Sequence, residues 1–336
     1  MIGVVAADLT HDPGRVFEPT LTSIRTAATS IADHVIRTPT VALDRLSERL
    51  GLPVVGKLES LQHTGSFKVR GAFYRMLQLE DEESTAGVVA VSGGNHGLAV
   101  AYAARKLGIP ATVLMPASAA EASIRQVRAD GATLVVLDTI QEVFRRAADE
   151  LAAGKVMIHP FDDPAVISAQ GTLGLELLED APTITDVIAS IGGGGMISGV
   201  ACALKAVDPA IRVWGVETAG ADVMSRSLAA GQPVSLDAIT SIATTLGAPM
   251  TSPRTLAAVQ DLVEDVIVVS DEEAVRGIEV LAHAAKLVTE PAAACTWAAA
   301  ERLRPRLPDH ARLALVICGG NADLDDIERW RTRFLG

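Results

Sequence analysis

Short apolar segments rich in β-branched residues alternate with helical segments through most of this 336-residue chain. The pattern predicts strands at residues 87–91, 111–115 and 133–137, with helices at 96–107 and 120–129 between them. The same alternation continues beyond residue 156, and no hairpin signal joins two strands. Because parallel neighbours need a crossover connection, which a helix supplies, the pattern predicts an α/β fold with mostly parallel sheets covered on both faces.

The chain length and one change in composition predict two domains. The 336 residues exceed the size at which a single hydrophobic core usually stops growing. Residues 79–86 form an acidic and polar stretch that interrupts the alternation. We therefore expect two three-layer α/β/α domains. Residues 1–80 and 164–336 would form a large domain, and residues 81–163 a small mobile domain that clamps the substrate.

Composition and charge exclude several kinds of partner. A net charge of −12 argues against nucleic acid, which needs clustered Lys and Arg. Apolar runs are too short for a membrane span, and residues 1–13 lack the basic and apolar regions of a targeting signal. Cys202, Cys295 and Cys318 are odd in number and lack metal-ligand spacing, which is typical of a reducing compartment. We expect a cytoplasmic protein that acts on a small molecule.

Lys68 stands where a predicted strand, residues 53–59, turns into a predicted helix, residues 67–79. The positive end of the helix dipole and burial both disfavour an ammonium group, so both push this amine toward its neutral, nucleophilic form. A neutral lysine amine can form a Schiff base. A surface lysine that opens an amphipathic helix is the plainer interpretation of Lys68 alone.

Three predicted strands run directly into glycine-rich turns. The turns are Ser92-Gly93-Gly94-Asn95-His96-Gly97, Gly192-Gly193-Gly194-Gly195-Met196 and Cys318-Gly319-Gly320-Asn321. Ligands of parallel sheets bind at the carboxyl ends of the strands, so we expect all three turns to face one crevice. The tetraglycine turn leads into an apolar helix and offers free backbone N–H groups to an anion, most naturally phosphate. It lacks the sequence of a P-loop and the spacing of a dinucleotide fingerprint.

A Schiff-base lysine, a phosphate site without basic residues and polar groups on two further turns together indicate pyridoxal 5′-phosphate. These turns, with Ser66-Phe67-Lys68-Val69-Arg70-Gly71-Ala72 and Glu290-Pro291-Ala292-Ala293, occur in a familiar order. Over nearly its whole length, the chain resembles the serine/threonine dehydratase and serine racemase family of fold-type II pyridoxal phosphate enzymes. That resemblance implies a fold like that of the tryptophan synthase β subunit.

The resemblance implies a role for each residue of the cofactor site. Lys68 would hold the cofactor aldehyde as an internal aldimine, and Phe67 would pack beside the ring. Asn95 would bond the ring hydroxyl, Cys318 would face the pyridine nitrogen, and Glu290 belongs to the same site. The phosphate would be bound by the backbone N–H groups of Gly192, Gly193, Gly194, Gly195 and Met196.

The resemblance also implies a reaction, that of a threonine/serine ammonia-lyase. Freed Lys68 would take the Cα proton of an L-2-amino-3-hydroxy acid, and the β-hydroxyl would leave as water. A 2-oxo acid and ammonia would be released, and the enzyme would act in amino-acid metabolism as a homodimer. The substrate carboxylate would be bound by Ser92, Gly93, Gly94, Asn95 and His96.

Three positions depart from the family's pattern. Gly93 stands where racemases place a serine that protonates the second ring face, so we expect dehydration without useful racemisation. Glu217 and the Ala221 carbonyl match metal ligands of racemase-like members, but Val223 replaces the third ligand, an aspartate. We therefore expect no metal, with Glu217 as a capping or ion-pairing group. Residues 240–249 depart from the usual Ala-Asp-Gly loop, which leaves the accepted side chain open.

Other functions stay open on the sequence. A dehydratase for a bulkier substrate such as a 3-arylserine or hydroxyaspartate, a serine racemase and a β-replacement enzyme of the cysteine synthase kind would share this fold. A protein that kept the fold but lost the cofactor would be a binding or regulatory protein. Retention of Lys68, Asn95 and the tetraglycine turn favours an enzyme. The chain ends soon after Trp330, so no C-terminal regulatory domain is expected.

Overall fold

The structure, a computed structural model, describes residues 19–336. The expectation about a targeting signal at residues 1–13 lies outside this range. Ten strands are described: β1 Thr40–Ala42, β2 Val54–Leu58, β3 Val88–Val91, β4 Ala111–Pro116, β5 Thr133–Leu137, β6 Val156–Met157, β7 Asp186–Ser190, β8 Arg212–Thr218, β9 Asp265–Val269 and β10 Leu313–Ile317. The helices of the same range are α1 Leu21–Ile31, α2 Asp44–Leu50, α3 Lys68–Met76, α4 Asp81–Ala86, α5 Asn95–Leu107, α6 Glu121–Ala129, α7 Ile140–Ala152, α8 Pro164–Asp180, α9 Gly195–Val207, α10 Val223–Ala230, α11 Pro253–Leu262, α12 Asp271–Val280, α13 Pro291–Leu303 and α14 Leu324–Phe334.

The strands form two sheets, one of six strands and one of four. The six-stranded sheet has the order β1-β2-β10-β7-β8-β9, and the four-stranded sheet has the order β5-β4-β3-β6. Strand β1 pairs antiparallel with β2, whereas the other neighbours pair in parallel. The expected α/β fold with mostly parallel sheets is therefore confirmed.

The four-stranded sheet is an insertion between β2 and β7 of the six-stranded sheet. All its strands lie between residues 88 and 157. This arrangement agrees with a small domain at residues 81–163, but the domain boundaries stay a prediction. Helix α3 packs on α5 beside the smaller sheet and on α8 beside the larger one. The helix that begins at Lys68 therefore lies where the two sheets meet.

The hydrophobic core is divided between the sheets. The largest cluster surrounds the six-stranded sheet and includes Trp297 of α13, which is fully buried. A second cluster joins α3 to β3 and α5 through side chains such as Phe73, Val88 and Val100. Of the helices in residues 19–336, none is long and apolar enough to cross a membrane.

Most predicted elements are confirmed, and three are missing from the sequence prediction. Helix α4 lies in the stretch that the composition predicts as a polar boundary, and Glu80 and Glu83 form a capping box around its start. Acidic residues favour the first turn of a helix because they face the positive end of its dipole. Strand β1 has three residues, too few for a periodicity to register. Helix α14 is amphipathic but contains no buried residue.

Candidate active site

Lys68 is the first residue of α3, and its amine is turned toward protein rather than bulk water. Its Nζ donates a 2.7 Å hydrogen bond to the carbonyl oxygen of Pro160, which follows β6. The side chain is half-buried. Desolvation lowers the pKa of the Lys68 amine to about 8, and the nearby Glu290 carboxyl opposes part of that shift. A lysine of lowered pKa at a helix N-terminus is a candidate nucleophile and base.

Backbone contacts fix the turn that presents Lys68. The Phe67 N–H donates to the Cys318 carbonyl at 3.1 Å, and Ser66 forms an antiparallel bridge with Gly319. The turn before α3 is thereby tied to the turn after β10. The Phe67 ring is buried, and its centroid lies 5.1 Å from the Lys68 amine.

The tetraglycine turn follows β7 and opens α9, as the sequence predicts. Gly194 is the N-cap residue, with φ +94°, and α9 has no side-chain cap. That conformation is favourable for glycine and strained for residues with a Cβ. A Cβ on Gly193 would lie 2.2 Å from the Phe161 ring, so the turn accepts no side chain there. The first N–H groups of α9 keep the unpaired donors of a helix start, which suits an anion.

Asn95 links the turn after β3 to two distant segments. Its Nδ2 donates to Glu290 Oε1 and Oε2 at 2.9 and 3.1 Å, and its Oδ1 accepts from Asn321 Nδ2 at 2.7 Å. The Thr245 hydroxyl also donates to Glu290 Oε1, at 3.1 Å. The turns that follow β3 and β10, which the sequence places in one crevice, are therefore in direct contact.

Two buried acidic groups flank this contact. Desolvation raises the pKa of the Glu290 carboxyl to about 7, although Asn95 and Thr245 bond it. Desolvation also raises the pKa of the Cys318 thiol to about 12. The Ser190 hydroxyl, at the end of β7, donates to Cys318 Sγ at 3.3 Å. Cys318 is therefore a neutral thiol at physiological pH.

Residues 92–96 lead from β3 into α5 and are half-buried or buried. The Ser92 Oγ accepts from the Gly94 N–H at 3.2 Å, and α5 has no side-chain cap. His96 Nε2 lies 2.7 Å from the Ile158 carbonyl oxygen. Burial and the Lys68 charge lower the pKa of His96 to about 3, so the imidazole is neutral and Nε2 carries the donated proton. Helix-start N–H groups, rather than the His96 side chain, are the donors left for a carboxylate.

The segment between β6 and α8 contributes to the site but is not predicted from the sequence. Pro160 accepts the Lys68 hydrogen bond, and Phe161 packs against the tetraglycine turn. His159 Nδ1 accepts from the Asp162 N–H at 2.7 Å, which shapes the loop. The signal for this segment was its position, since it follows a predicted strand just as the three glycine-rich turns do. It contains no glycine, and no motif marked it.

Glu217 lies apart from these contacts. Its carboxylate accepts from the N–H groups of Met224 and Ser225, each at 2.8 Å, at the start of α10. Asp222 pairs with Arg226, and Ala221 is buried. Burial raises the pKa of Glu217 to about 7. Within residues 19–336, no three His, Cys, Asp or Glu side chains group closely enough to hold a metal.

The residues present fit pyridoxal phosphate. Phe161 packs so closely on the tetraglycine turn that Gly193 has no room for a Cβ, which leaves the backbone N–H groups of the turn open to a phosphate. The neutral Cys318 thiol is a suitable partner for an uncharged pyridine nitrogen. The hydroxyl of Ser66, two residues before Lys68, is fully buried and has no hydrogen-bond partner in the described chain. Buried hydroxyls are seldom left unpaired, so this one is consistent with a polar ligand at the site.

Comparisons with known proteins agree with this geometry. The family described as pyridoxal-phosphate dependent enzyme matches residues 31–319. An L-threonine ammonia-lyase of Thermotoga maritima is 38% identical over 92% of this chain and 77% of its own length. A phenylserine dehydratase of Ralstonia pickettii is 38% identical over 91% of this chain and 94% of its own length. The structure of maize serine racemase, 36% identical, superposes with a TM-score of 0.88 over 94% of this chain and 98% of that one.

Proposed function

The chain belongs to the pyridoxal-phosphate-dependent enzymes, and on that basis we propose that it is an ammonia-lyase for L-2-amino-3-hydroxy acids. It removes water from the substrate and releases a 2-oxo acid and ammonia. The observation that carries this proposal is the Lys68 amine, which is desolvated at a helix start and bonded to Pro160. Related chains named threonine ammonia-lyase and phenylserine dehydratase support the reaction class.

The residues that surround Lys68 would hold the cofactor. Helix-start N–H groups of the tetraglycine turn and Met196 would bind the phosphate, and the Phe67 ring would pack beside the pyridine. Asn95, whose amide is oriented by Glu290 and Asn321, would bond the ring hydroxyl. The Cys318 thiol would serve the ring nitrogen.

Pyridoxal phosphate, when bound, supplies an electron-withdrawing ring that acidifies the Cα hydrogen of an attached amino acid. Lys68 accepts that proton. With a pKa of about 8, about one in ten such amines is neutral at pH 7, far more than for an ordinary lysine. The low pKa therefore prepares Lys68 to act as a base near neutral pH.

Two residues direct the outcome toward elimination of water. The neutral Cys318 thiol does not stabilise a protonated ring nitrogen, so that nitrogen would stay uncharged. An uncharged ring limits the delocalisation of negative charge that transamination requires. Gly93 offers no side-chain acid to the second face of the substrate. We therefore place dehydration ahead of racemisation, although serine racemases are among the similar proteins.

Thr245, in the loop that departs from the family's pattern, limits the range of substrate side chains that the site prefers. A Cβ on Gly94 would lie 3.5 Å from Thr245 Cγ2, an ordinary van der Waals contact, so the Thr245 methyl borders the space beside the carboxylate-binding turn. Thr245 is exposed, whereas its partner Glu290 is buried. We propose that the site takes threonine-like and serine-like substrates before 3-aryl ones.

A homodimer and a cytoplasmic location are further parts of the proposal. Leu61 and Val288 are each 52% exposed, and Gly320 lies between their segments. Both are large apolar side chains at the surface that a second copy could cover. Sedimentation of the purified chain with and without Leu61→Glu tests this assembly.

The reaction is tested with the purified holoenzyme. L-threonine, L-serine, 3-phenylserine and 3-hydroxyaspartate are supplied separately while the 2-oxo acid and ammonia are measured, with Lys68→Ala as the control. Products in equal amounts, lost in the variant, establish the ammonia-lyase. A coloured protein that yields neither product from any substrate contradicts it, and cysteine formed from added sulfide would identify a β-replacement enzyme.

A further inference from the structure

Arg70, in the first turn of α3, is a fully buried cation that the proposed chemistry does not use. Its guanidinium bonds Glu59 through Nε at 2.9 Å and Nη2 at 2.8 Å. It also bonds Glu176 through Nη1 at 2.6 Å and Nη2 at 2.9 Å. Burial would lower the pKa of Arg70, but these two carboxylates raise it above its ordinary value. The planar Arg70 guanidinium thus forms bidentate hydrogen bonds with two carboxylates at once.

The charges around Arg70 are paired and bonded. Lys57, also fully buried, lies 2.7 Å from Glu176 Oε2 and donates to the Thr38 carbonyl at 2.7 Å. The Thr38 hydroxyl donates to Glu59 Oε1 at 2.5 Å. Arg70 and Lys57 therefore face Glu59 and Glu176, and a third carboxylate, that of Asp180, lies 3.7 Å from the Lys57 amine. The desolvation of such a cluster offsets most of its Coulombic gain, so net stability is a weak explanation for it, and fixed geometry is a better one.

Helix α3 needs an external support because its own sequence holds its start poorly. It has no side-chain cap and no acidic residue in its first turn. Its first residue is Lys68, which the helix dipole disfavours there. Gly71 lowers the helix propensity further, by about 1 kcal/mol relative to alanine. The glycine is required because a Cβ would lie 2.8 Å from Val166 Cγ1 and 2.5 Å from Gln170 Nε2, both on α8.

The carboxylates that bind Arg70 come from two different elements of the chain. Glu59 follows β2, and Glu176 lies on α8. Helix α8 begins directly after the segment that carries Pro160, whose carbonyl accepts the Lys68 hydrogen bond. We propose that Arg70 is a positioning residue, which clamps the first turn of α3 between Glu59 and Glu176 and so holds Lys68 against Pro160. The inference rests on the proposed role of Lys68.

The test measures how the full-length chain, freed of cofactor and shown by circular dichroism to be folded, captures pyridoxal phosphate. The rate of capture, followed by visible absorption across pH, reports the fraction of neutral Lys68 amine. We expect Arg70→Met to loosen the turn and admit water, which raises the midpoint of the pH profile by about one unit and slows capture at pH 8 about fivefold.

The chain offers a matched control on the same helix. Arg75 Nε lies 3.1 Å from Asp163 Oδ2, so this pair also joins α3 to the start of α8, with both side chains about one-fifth exposed. We expect Arg75→Met to leave the midpoint unchanged. An equal shift in both variants would mean that any loss of contact between the helices has the same effect, and it would overturn the specific role of Arg70.

A second variant keeps the test decisive if Arg70→Met does not fold. Arg70→Met with Glu59→Gln removes the carboxylate left unpaired and keeps the Lys57 and Glu176 pair. We expect the double variant to fold and to keep the raised midpoint of the pH profile, because the Arg70 guanidinium is absent. A wild-type midpoint in this double variant would show that Arg70 only neutralises Glu59. A wild-type chain that captures no cofactor would instead refute the proposed function, and this inference with it.

Discussion

The amine of Lys68 lies 2.7 Å from the carbonyl oxygen of Pro160. Lys68 opens α3, which leads out of the larger sheet, whereas Pro160 follows β6 of the smaller sheet. One hydrogen bond therefore joins the reactive amine to the other half of the molecule. The position and the solvation of this amine depend on how the two sheets meet.

Glu290 gives the chain without cofactor a pH-dependent stability. Its pKa of about 7, above the ordinary 4.5, means that the folded chain binds more protons than the unfolded chain between these values. The free energy of unfolding therefore falls as pH rises through that window. We expect Glu290→Gln to flatten the change in melting temperature between about pH 5 and 7. Glu217→Gln is the comparison and should flatten the change in the same direction, because the pKa of the Glu217 carboxyl is also raised to about 7.

Gly193→Ala should weaken cofactor binding by displacing the tetraglycine turn. The added Cβ would lie 2.2 Å from the Phe161 ring. We expect at least a tenfold rise in the dissociation constant for pyridoxal phosphate, measured by absorbance titration. Adding Phe161→Ala gives the methyl room and should recover part of the affinity. If the double variant binds no better than Gly193→Ala, the collision with Phe161 is not the cause.

Gly93→Ser tests why dehydration should prevail over racemisation. A Cβ at Gly93 would lie 3.1 Å from the Ala119 Cβ, so Ala119→Gly is added to make room for the hydroxyl. We expect D-serine from L-serine to rise above the wild-type level in the double variant, measured by chiral chromatography. Abundant D-serine from the wild-type chain would contradict the argument from Gly93.

Thr245→Gly should broaden the range of substrates. Removing the methyl opposite Gly94 and the hydroxyl bonded to Glu290 widens the mouth of the site. We expect kcat/KM for 3-phenylserine to rise about tenfold relative to that for L-threonine, the order of effect of one apolar group in a pocket. Thr244→Gly, at the neighbouring exposed position, is the control and should leave the ratio unchanged.

The sequence predicted the parts of the site that glycine and strand periodicity mark. Lys68 begins a helix, and the turns containing Asn95 and Cys318 meet where the carboxyl ends of β3 and β10, strands of two different sheets, lie together. The role of Pro160 could not be predicted, because every residue type carries a backbone carbonyl and the sequence does not mark which one accepts a hydrogen bond. The buried partners of Arg70 were also out of reach, because Glu176 is 106 positions away and its pairing depends on helix packing.

Reduction of the holoenzyme with borohydride, followed by peptide mass spectrometry, tests the central claim most directly. Borohydride fixes the cofactor to whichever amine holds it. We expect the pyridoxyl mass on the peptide that contains Lys68, and its absence after Lys68→Ala. A label on another lysine, such as the buried Lys57, or a coloured protein with no label at Lys68, would contradict the account.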